Sequence, residues 1–294
     1  MVFHDLIGNT PIIELNSLRS SASVLLKIEK NNPGGSIKDR AVLGMMLDAE
    51  RKGLLRQGMT IVEPTSGNTG IAIAMLAASS GYKAALFMPE SASIERVKLM
   101  EAFGAEVVRT SAEKGISGSY DEARAFIERN PDSFMLDQFS NEANPAFHYS
   151  STGPEIHSQT EGKLDGFICG MGTGGTITGV GRFLKQALPG IHVAGIEPAG
   201  SPFISEGRSG SHKIQGIGPG FRPNVLDLSV LDEVITVEDD EALSMMKWLH
   251  RKEGLMVGIS SGANVSGALK LAEKGLRRIA TVAPDTYERY LSLT

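Results

Sequence analysis

Short apolar runs alternate with longer stretches in which apolar side chains recur at helical spacing through most of the chain. In the stretch 36–53, Ile37, Ala41 and Met45 fall on one side of a helix, which is typical of an amphipathic α-helix. The stretch 176–188 has the same kind of pattern. From the apolar runs we predict nine strands, at 24–29, 60–64, 84–89, 105–110, 134–138, 166–170, 192–198, 233–237 and 278–284.

The alternation of strands and helices predicts an α/β fold in which parallel sheets are covered by helices on both faces. A boundary near residue 142 divides the chain into halves of similar size, so we expect two doubly wound domains with parallel-type central sheets. Ligand sites in such sheets lie beyond the carboxyl ends of the strands. The glycine-rich loops fall at those ends, and the long Gly-, Ser- and Pro-rich stretch 198–226 is typical of a functional or mobile loop.

Composition narrows the class of protein. The 294 residues are 41% hydrophobic and 21% charged, which is ordinary for a globular protein with a buried core. A net charge of −5 argues against a nucleic-acid or anionic-membrane partner. The single cysteine, Cys169, excludes an internal disulfide and is typical of a reducing compartment. Neither a signal-peptide pattern nor a membrane-spanning apolar run is visible, so we expect a cytoplasmic protein.

The loop after the predicted strand 166–170 contains a phosphate-binding pattern. Gly170, Gly172 and Gly175 satisfy G-x-G-x-x-G, and Glu197 follows 22 residues after the last glycine. This arrangement is the dinucleotide-binding fingerprint, so an NAD site is one interpretation.

Three hydroxyl side chains accompany these glycines and favour a different ligand. Thr173, Thr176 and Thr178 offer donors that a buried diphosphate does not specially need. A terminal phosphate monoester has three oxygens and about two negative charges, so it benefits from additional donors. The loop therefore indicates either a dinucleotide or a phosphate monoester.

The segment 31–40, NNPGGSIKDR, predicts a glycine loop that leads into a helix with Ser36 as its N-cap. Lys38 would lie in the first turn, where the helix dipole disfavours an ammonium and lowers the lysine pKa. A neutral amine there can attack a carbonyl group. The simpler alternative is a solvated surface lysine, and Asp39 and Arg40 are most simply first-turn charges.

The segment 63–70, EPTSGNTG, follows a predicted strand and leads into another helix. Backbone N–H groups at such a helix start can bind a carboxylate or a phosphate, together with neighbouring hydroxyls and amides. The alternative is an ordinary capping turn. The polar candidates are Thr65, Ser66, Asn68 and Thr69, which surround Gly67.

The segment 258–263, GISSGA, matches the G-x-S-x-G nucleophile elbow of α/β-hydrolases. That family needs a histidine after the serine, and the last histidine of this chain, His250, precedes Ser260. Ser260 is better explained as a hydroxyl at a helix start, directed at a ligand or acting as a cap. The histidines form no metal-binding spacing, so we expect no metal site, and Cys169 is expected to be a small core residue.

Taken together, the segments resemble the cysteine synthase (O-acetylserine sulfhydrylase) family of fold-type II pyridoxal-phosphate enzymes, whose fold is that of the tryptophan synthase β-subunit. The resemblance runs from LIGNTPIIEL to ERYLS and includes NNPGGSIKDR, EPTSGNTGIAIA, SIERVKLMEAFGAEVV, QFSNEANPAFHYSSTGPEI, GMGTGGTITGVGRFLK, IQGIGPGF and VGISSGA. It implies a smaller domain of residues 1–10 and 32–142, with a mobile part near 85–130. Residues 11–31 and 143–294 would form the larger domain, with the active site between the two.

The resemblance also implies a role for each site residue. Lys38 would form the Schiff base with pyridoxal 5'-phosphate and move the substrate α-proton, Asn68 would contact the ring oxygen, and Ser260 would contact the pyridine nitrogen. The implied phosphate-binding residues are Gly172, Thr173, Gly174, Gly175 and Thr176. The implied carboxylate-binding residues are Thr65, Ser66, Gly67, Thr69 and Gln138.

The implied reaction is a β-replacement. O-acetyl-L-serine would lose acetate to give an α-aminoacrylate, and sulfide would then add to give L-cysteine. A neutral Ser260 would make the ring a weaker electron sink than an aspartate would, which favours loss of a β-leaving group over transamination. The family also implies a homodimer and an active site that can bind the C-terminal tail of serine acetyltransferase.

Departures from the family pattern leave the acyl donor open. Ile116 and Tyr287 replace a methionine and a small residue that are usual there, where they could alter the pocket wall. The alternatives are a cystathionine β-synthase and an O-phosphoserine sulfhydrylase, for which Arg222 is a candidate cation. From other classes, an NAD-dependent dehydrogenase and a non-catalytic regulatory binding protein stay as alternatives, although Lys38 argues against both.

Overall fold

The computed structural model describes residues 2–18, 20–65, 67–90 and 92–291. The strands are β1 Ile12–Glu14, β2 Ser23–Ile28, β3 Thr60–Pro64, β4 Lys83–Pro89, β5 Glu106–Thr110, β6 Ser133–Met135, β7 Gly166–Gly170, β8 His192–Pro198, β9 Glu233–Val237 and β10 Arg278–Ala283. The α-helices are α1 Lys38–Arg51, α2 Asn68–Ser80, α3 Ile94–Ala102, α4 Gly115–Arg129, α5 Ala143–Ser150, α6 Thr152–Gln159, α7 Gly175–Ala187, α8 Phe203–Glu206, α9 Asp239–Trp248 and α10 Ile259–Glu273. Each of the nine predicted strands is present, and β1 was not predicted.

The strands form two sheets. A four-stranded sheet has the order β5-β4-β3-β6, and all of its pairs are parallel. A six-stranded sheet has the order β1-β2-β10-β7-β8-β9, and it is parallel except for β1, which runs antiparallel to β2 along one edge. The predicted fold class, α/β with two parallel-type sheets, is confirmed.

Helices cover both faces of each sheet, and the strands are therefore buried on both sides. In the four-stranded sheet, α1, α2 and α3 pack on one face and α4 on the other. In the six-stranded sheet, α9 and α10 pack on one face and α6 and α7 on the other. None of the helices in the described part of the chain is long and apolar enough to cross a membrane.

The strands of the four-stranded sheet lie between residues 60 and 135, and those of the six-stranded sheet lie in 12–28 and 166–283. The sheets therefore occur in the two regions where the sequence predicts separate domains. The domain boundaries and the mobile part near 85–130 stay predictions.

Candidate active site

A cavity of about 510 Å³ lies where the loops of the two sheets meet. Its walls include residues that follow the carboxyl ends of β3, β7 and β10, as expected for parallel α/β sheets. The long segment 198–226 contributes His212, Gln215 and Phe221, among others, so its predicted functional position is consistent with the structure.

Lys38 lines this cavity as the first residue of α1. Burial lowers the pKa of its amine, and the carboxylate of Asp285 partly opposes this effect. Burial is therefore the main cause, whereas the sequence suggested the helix dipole. The alternative of a surface lysine is wrong.

Ser36 is not the N-cap of α1, contrary to the prediction. The cap position is Ile37, and Ser36 instead forms an isolated β-bridge with Asp285. The Ser36 hydroxyl still accepts a hydrogen bond from the Lys38 backbone N–H at 3.3 Å. Extended pairing with the C-terminal segment thus replaces side-chain capping at the start of this helix.

Asp39 and Arg40 are not simple first-turn charges, because both are fully buried. Asp39 accepts a hydrogen bond from the Gly34 N–H at 2.6 Å, and burial raises its pKa to about 7. Arg40 donates to Glu29 at 2.7 Å and to Glu155 at 2.7 Å, in a buried ion-pair network. These contacts fix the loop that leads into Lys38.

The glycine loop between β7 and α7 is packed too closely for side chains. A Cβ atom on Gly172 would lie 2.3 Å from the carbonyl oxygen of Gly216, and one on Gly175 would lie 1.9 Å from Asn144 Oδ1. Gly174 has a φ of 88°, which favours glycine. Gly172, Thr173, Gly174 and Thr176 line the cavity, while Gly175 begins α7 behind them.

Two of the three predicted hydroxyls face the cavity. Thr173 Oγ1 accepts a hydrogen bond from Asn144 at 3.1 Å, and Thr176 Oγ1 lies 3.3 Å from His148 Nε2. Thr178 was wrongly included, since its buried hydroxyl donates to the Val225 carbonyl at 3.1 Å and accepts from the Asp227 N–H at 3.0 Å.

Asn144 and His148 were missed by the sequence analysis, although both lie within a quoted motif. Burial, followed by the charges of Arg40 and Lys38, holds the pKa of His148 well below its ordinary value. The imidazole is therefore neutral and can orient Thr176 without adding charge.

The turn after β3 brings a second polar group to the cavity. Thr65, Gly67, Asn68, Thr69 and Gln138 all line it, and Ser66 lies outside the described residues. Thr69 donates its hydroxyl hydrogen to Gln138 Oε1 at 2.6 Å. The α2 helix begins at Asn68, so its first N–H groups lie beside these side chains.

Ser260 and Cys169 complete the wall near Lys38. Ser260 is buried in the first turn of α10 and lines the cavity, as predicted for a hydroxyl at a helix start. Cys169 is buried as expected, but it also lines the cavity. Burial raises the pKa of its thiol to about 12, so the thiol stays protonated.

The residues that departed from the family pattern have different positions. Ile116 lines the cavity. Tyr287 is not among the residues described as lining the cavity. Its ring packs edge-on against the His250 ring, with 4.7 Å between the ring centroids. Arg222 is exposed and is likewise not one of the described lining residues, so it is a poor candidate for binding a donor phosphate.

Glu197 does not have the role that a dinucleotide site would give it. Its buried carboxylate accepts hydrogen bonds from the N–H groups of Ile204 at 2.8 Å and Ser205 at 3.0 Å. Since both oxygens stabilise the start of α8, they do not form a ribose site.

Comparison with known proteins agrees with this arrangement. The family described as "Pyridoxal-phosphate dependent enzyme" matches residues 3–285. Cysteine synthase B of Campylobacter jejuni is 49% identical over 98% of this chain and 96% of its own length, and cysteine synthase A of Escherichia coli K12 is 46% identical over 97% and 92%. Among solved structures, an O-ureido-L-serine synthase has a TM-score of 0.96 and 43% identity, covering 99% of this chain and 93% of that chain.

Proposed function

Because this chain belongs to the family of pyridoxal-phosphate-dependent enzymes, we propose that it catalyses the cysteine synthase reaction. In that β-replacement, O-acetyl-L-serine and sulfide give L-cysteine and acetate. The main support for the proposal is that Lys38 and the glycine- and threonine-containing loop between β7 and α7 line the same cavity. An amine of lowered pKa suits an aldehyde, and the loop suits a phosphate.

The cavity residues fit pyridoxal 5'-phosphate. Gly172 and Gly174 leave backbone exposed where a side chain would collide, so N–H groups can approach phosphate oxygens closely. The start of α7 adds the positive end of a helix dipole, and Thr173 and Thr176 add hydroxyl donors. We assign these residues, with Gly175, to the phosphate.

The bound cofactor supplies an electron sink for the negative charge that develops at the substrate α-carbon. Lys38 Nζ removes the α-proton and later returns it, and its lowered pKa leaves the amine less readily protonated than that of an ordinary lysine. Ser260 offers a neutral hydroxyl to the pyridine nitrogen. A neutral partner gives a weaker sink than a carboxylate would, which favours early loss of the β-substituent.

We assign the substrate carboxylate to the start of α2. The orphan N–H groups there, including the backbone N–H of Thr69, provide donors for both carboxylate oxygens together with the Thr65 hydroxyl and the Gln138 side-chain amide. Glu63 holds Gln138 in place by accepting its backbone N–H at 3.0 Å. By the family resemblance, we also include Gly67 and Ser66 in this group.

One cation at the cavity wall bears on the choice of the amino-acid donor. Arg96 is buried at the cavity wall, where it donates to Gln215 at 2.8 Å and lies 5.2 Å from the Tyr290 ring centroid. These contacts engage the guanidinium, which favours a donor with an uncharged acetyl ester over a donor with a charged phosphate ester.

The test compares kcat/KM for O-acetylserine, O-phosphoserine and serine with sulfide, and then with homocysteine as a second nucleophile. O-acetylserine with sulfide should give the highest value. A preference for serine and homocysteine would instead establish the cystathionine β-synthase alternative. Purified protein that stays colourless after incubation with pyridoxal 5'-phosphate would refute both.

The proposal also covers the compartment, the oligomeric state and a protein partner of the enzyme. By resemblance to the family, the chain forms a cytoplasmic homodimer, and its active site accepts the C-terminal tail of serine acetyltransferase. Sedimentation measures the first property. Competition between a tail peptide and O-acetylserine measures the second.

A further inference from the structure

The amide of Asn68 lies between two buried charges. Its Nδ2 donates to Asp285 Oδ2 at 2.6 Å, and its Oδ1 accepts from Arg289 Nη1 at 2.5 Å. Asp285 is 2% exposed and Arg289 is 4% exposed. The Nδ2 end of the neutral amide therefore contacts a carboxylate, and the Oδ1 end contacts a guanidinium.

These partners decide which way the amide points. A carboxylate can only accept and a guanidinium can only donate, so a flipped amide would lose both hydrogen bonds. Charge-assisted hydrogen bonds of this kind are about twice as strong as neutral ones. The second N–H of Nδ2 is then the hydrogen-bond donor that Asn68 can offer to an oxygen in the cavity.

Asp285 is itself held on several sides. Tyr290 donates its hydroxyl hydrogen to Asp285 Oδ2 at 2.5 Å, and the Asp285 backbone forms a bridge with Ser36. The neighbouring Pro284 carbonyl accepts from the Ile37 N–H at 2.8 Å. The C-terminal segment thus joins the Asn68 amide to the start of the Lys38 helix.

The second carboxylate oxygen of Asp285 indicates a role beyond packing. Oδ1 is buried and has no hydrogen-bond partner within the described part of the chain. Space for it exists because Gly258 lacks a side chain, where a Cβ atom would lie 2.1 Å away. A buried carboxylate with one unsatisfied oxygen is unfavourable for stability, so packing alone does not explain it.

We propose that Asp285 is a positioning residue that acts through Asn68 and fixes its amide as a hydrogen-bond donor to the ring oxygen of the bound cofactor. The inference rests on the proposed function, because it requires pyridoxal 5'-phosphate in this cavity. Tyr290 and Arg289 support it by fixing the carboxylate and the far end of the amide.

The test measures binding to the apoprotein rather than turnover. Two probes are titrated, pyridoxal 5'-phosphate and an analogue in which the ring hydroxyl is replaced by hydrogen. Asp285→Ala should weaken binding of the first by about threefold to tenfold more than binding of the second, as expected for one misdirected hydrogen bond. Asp285→Asn, which keeps the size and one acceptor, should recover part of that difference.

Tyr290→Phe is the matched control. It removes the other hydrogen bond that Asp285 Oδ2 accepts, and it leaves both partners of Asn68 in place. Because Asp285 still accepts from Asn68, this variant should change the ratio of the two affinities much less than Asp285→Ala does. In an Asn68→Ala background, Asp285→Ala should have no further effect on the ratio of affinities, because the carboxylate acts through the amide.

Equal losses for both probes in Asp285→Ala, or a full additional loss in the Asn68→Ala background, would show that Asp285 is merely structural. If Asp285→Ala does not fold, the same comparison in Asp285→Asn decides the matter. Failure of the proposed function gives a different result. Without a site for pyridoxal 5'-phosphate the unaltered protein would bind neither probe, and a different reaction of the same cofactor would change the substrate preference but not the binding of the probes.

Discussion

Replacing Gly172 by alanine tests the phosphate assignment directly. The added Cβ would lie 2.3 Å from the Gly216 carbonyl oxygen, whereas a carbon and such an oxygen lie about 3.3 Å apart in ordinary contact. One of the two backbone segments must therefore move by about 1 Å. Neither atom belongs to a flexible side chain, so the movement has to be taken up by the loop itself.

Overpacking of this kind should lower the free energy of unfolding of the apoprotein by about 1–3 kcal/mol. A displacement of about 1 Å should also weaken binding of pyridoxal 5'-phosphate by about 10- to 100-fold, as expected for the loss of one hydrogen bond to a charged group. Pyridoxal, which has no phosphate, should lose little affinity, because the contacts that move are those to the phosphate. Titration with both ligands and urea denaturation provide the measurements.

Gly67→Ala is the matched control for stability. Gly67 has a φ of −137°, and no described heavy atom lies within 4 Å of its Cβ position apart from its chain neighbours. The stability of the apoprotein should change by less than about 0.5 kcal/mol. The assignment of Gly172 to the phosphate is wrong if Gly172→Ala weakens pyridoxal and its phosphate equally, or weakens neither.

Three further predictions concern Lys38 and the loop and helix around it. Lys38→Ala should lower turnover by at least about 10²–10⁴-fold, the usual contribution of a general base, while the apoprotein still folds by circular dichroism. The pKa of Asp39 is raised to about 7 from 3.8, so folding takes up a proton and stability falls as the pH rises between these values. Asp39→Asn should flatten that part of a stability–pH profile, and an unchanged slope would contradict the assignment. Arg40→Met leaves Glu29 buried without its cation and should cost about 3–5 kcal/mol in urea denaturation, whereas Arg51→Met at an exposed ion pair should cost about 0–1 kcal/mol.

The strands were predictable because each is a nearly continuous apolar run between turn residues. β3, β7, β8 and β9 have the predicted bounds, since a glycine, a proline or a charge ends each run. β1 was missed because it has three residues, of which one is exposed, and it pairs along an edge. A run that short carries too little periodicity to be distinguished from a loop.

The chemistry of single loops was predictable, and partners from distant loops were not. Lys38 and the glycine loop each have a local pattern that marked them as candidates, and the structure places both at one cavity. Burial of Arg40 depends on Glu155, which lies 115 residues away, and no local pattern reports such a pairing. Thr178 is a different kind of error, because residues two apart on a helix do not face the same side, so Thr176 and Thr178 could not both line one loop.

The opposing influences on the pKa of Lys38 match the two tasks that we propose for its amine. It must be neutral to attack an aldehyde and to accept the α-proton, and burial favours that form. It must also hold the proton until the proton is returned, and the nearby negative charge of Asp285 favours the protonated form. Burial and the Asp285 carboxylate thus act on the pKa of Lys38 in opposite directions, with burial the larger effect. The same carboxylate that we infer orients Asn68 thus also opposes the lowering of the Lys38 pKa, so in the proposed mechanism one residue would link cofactor positioning and proton transfer.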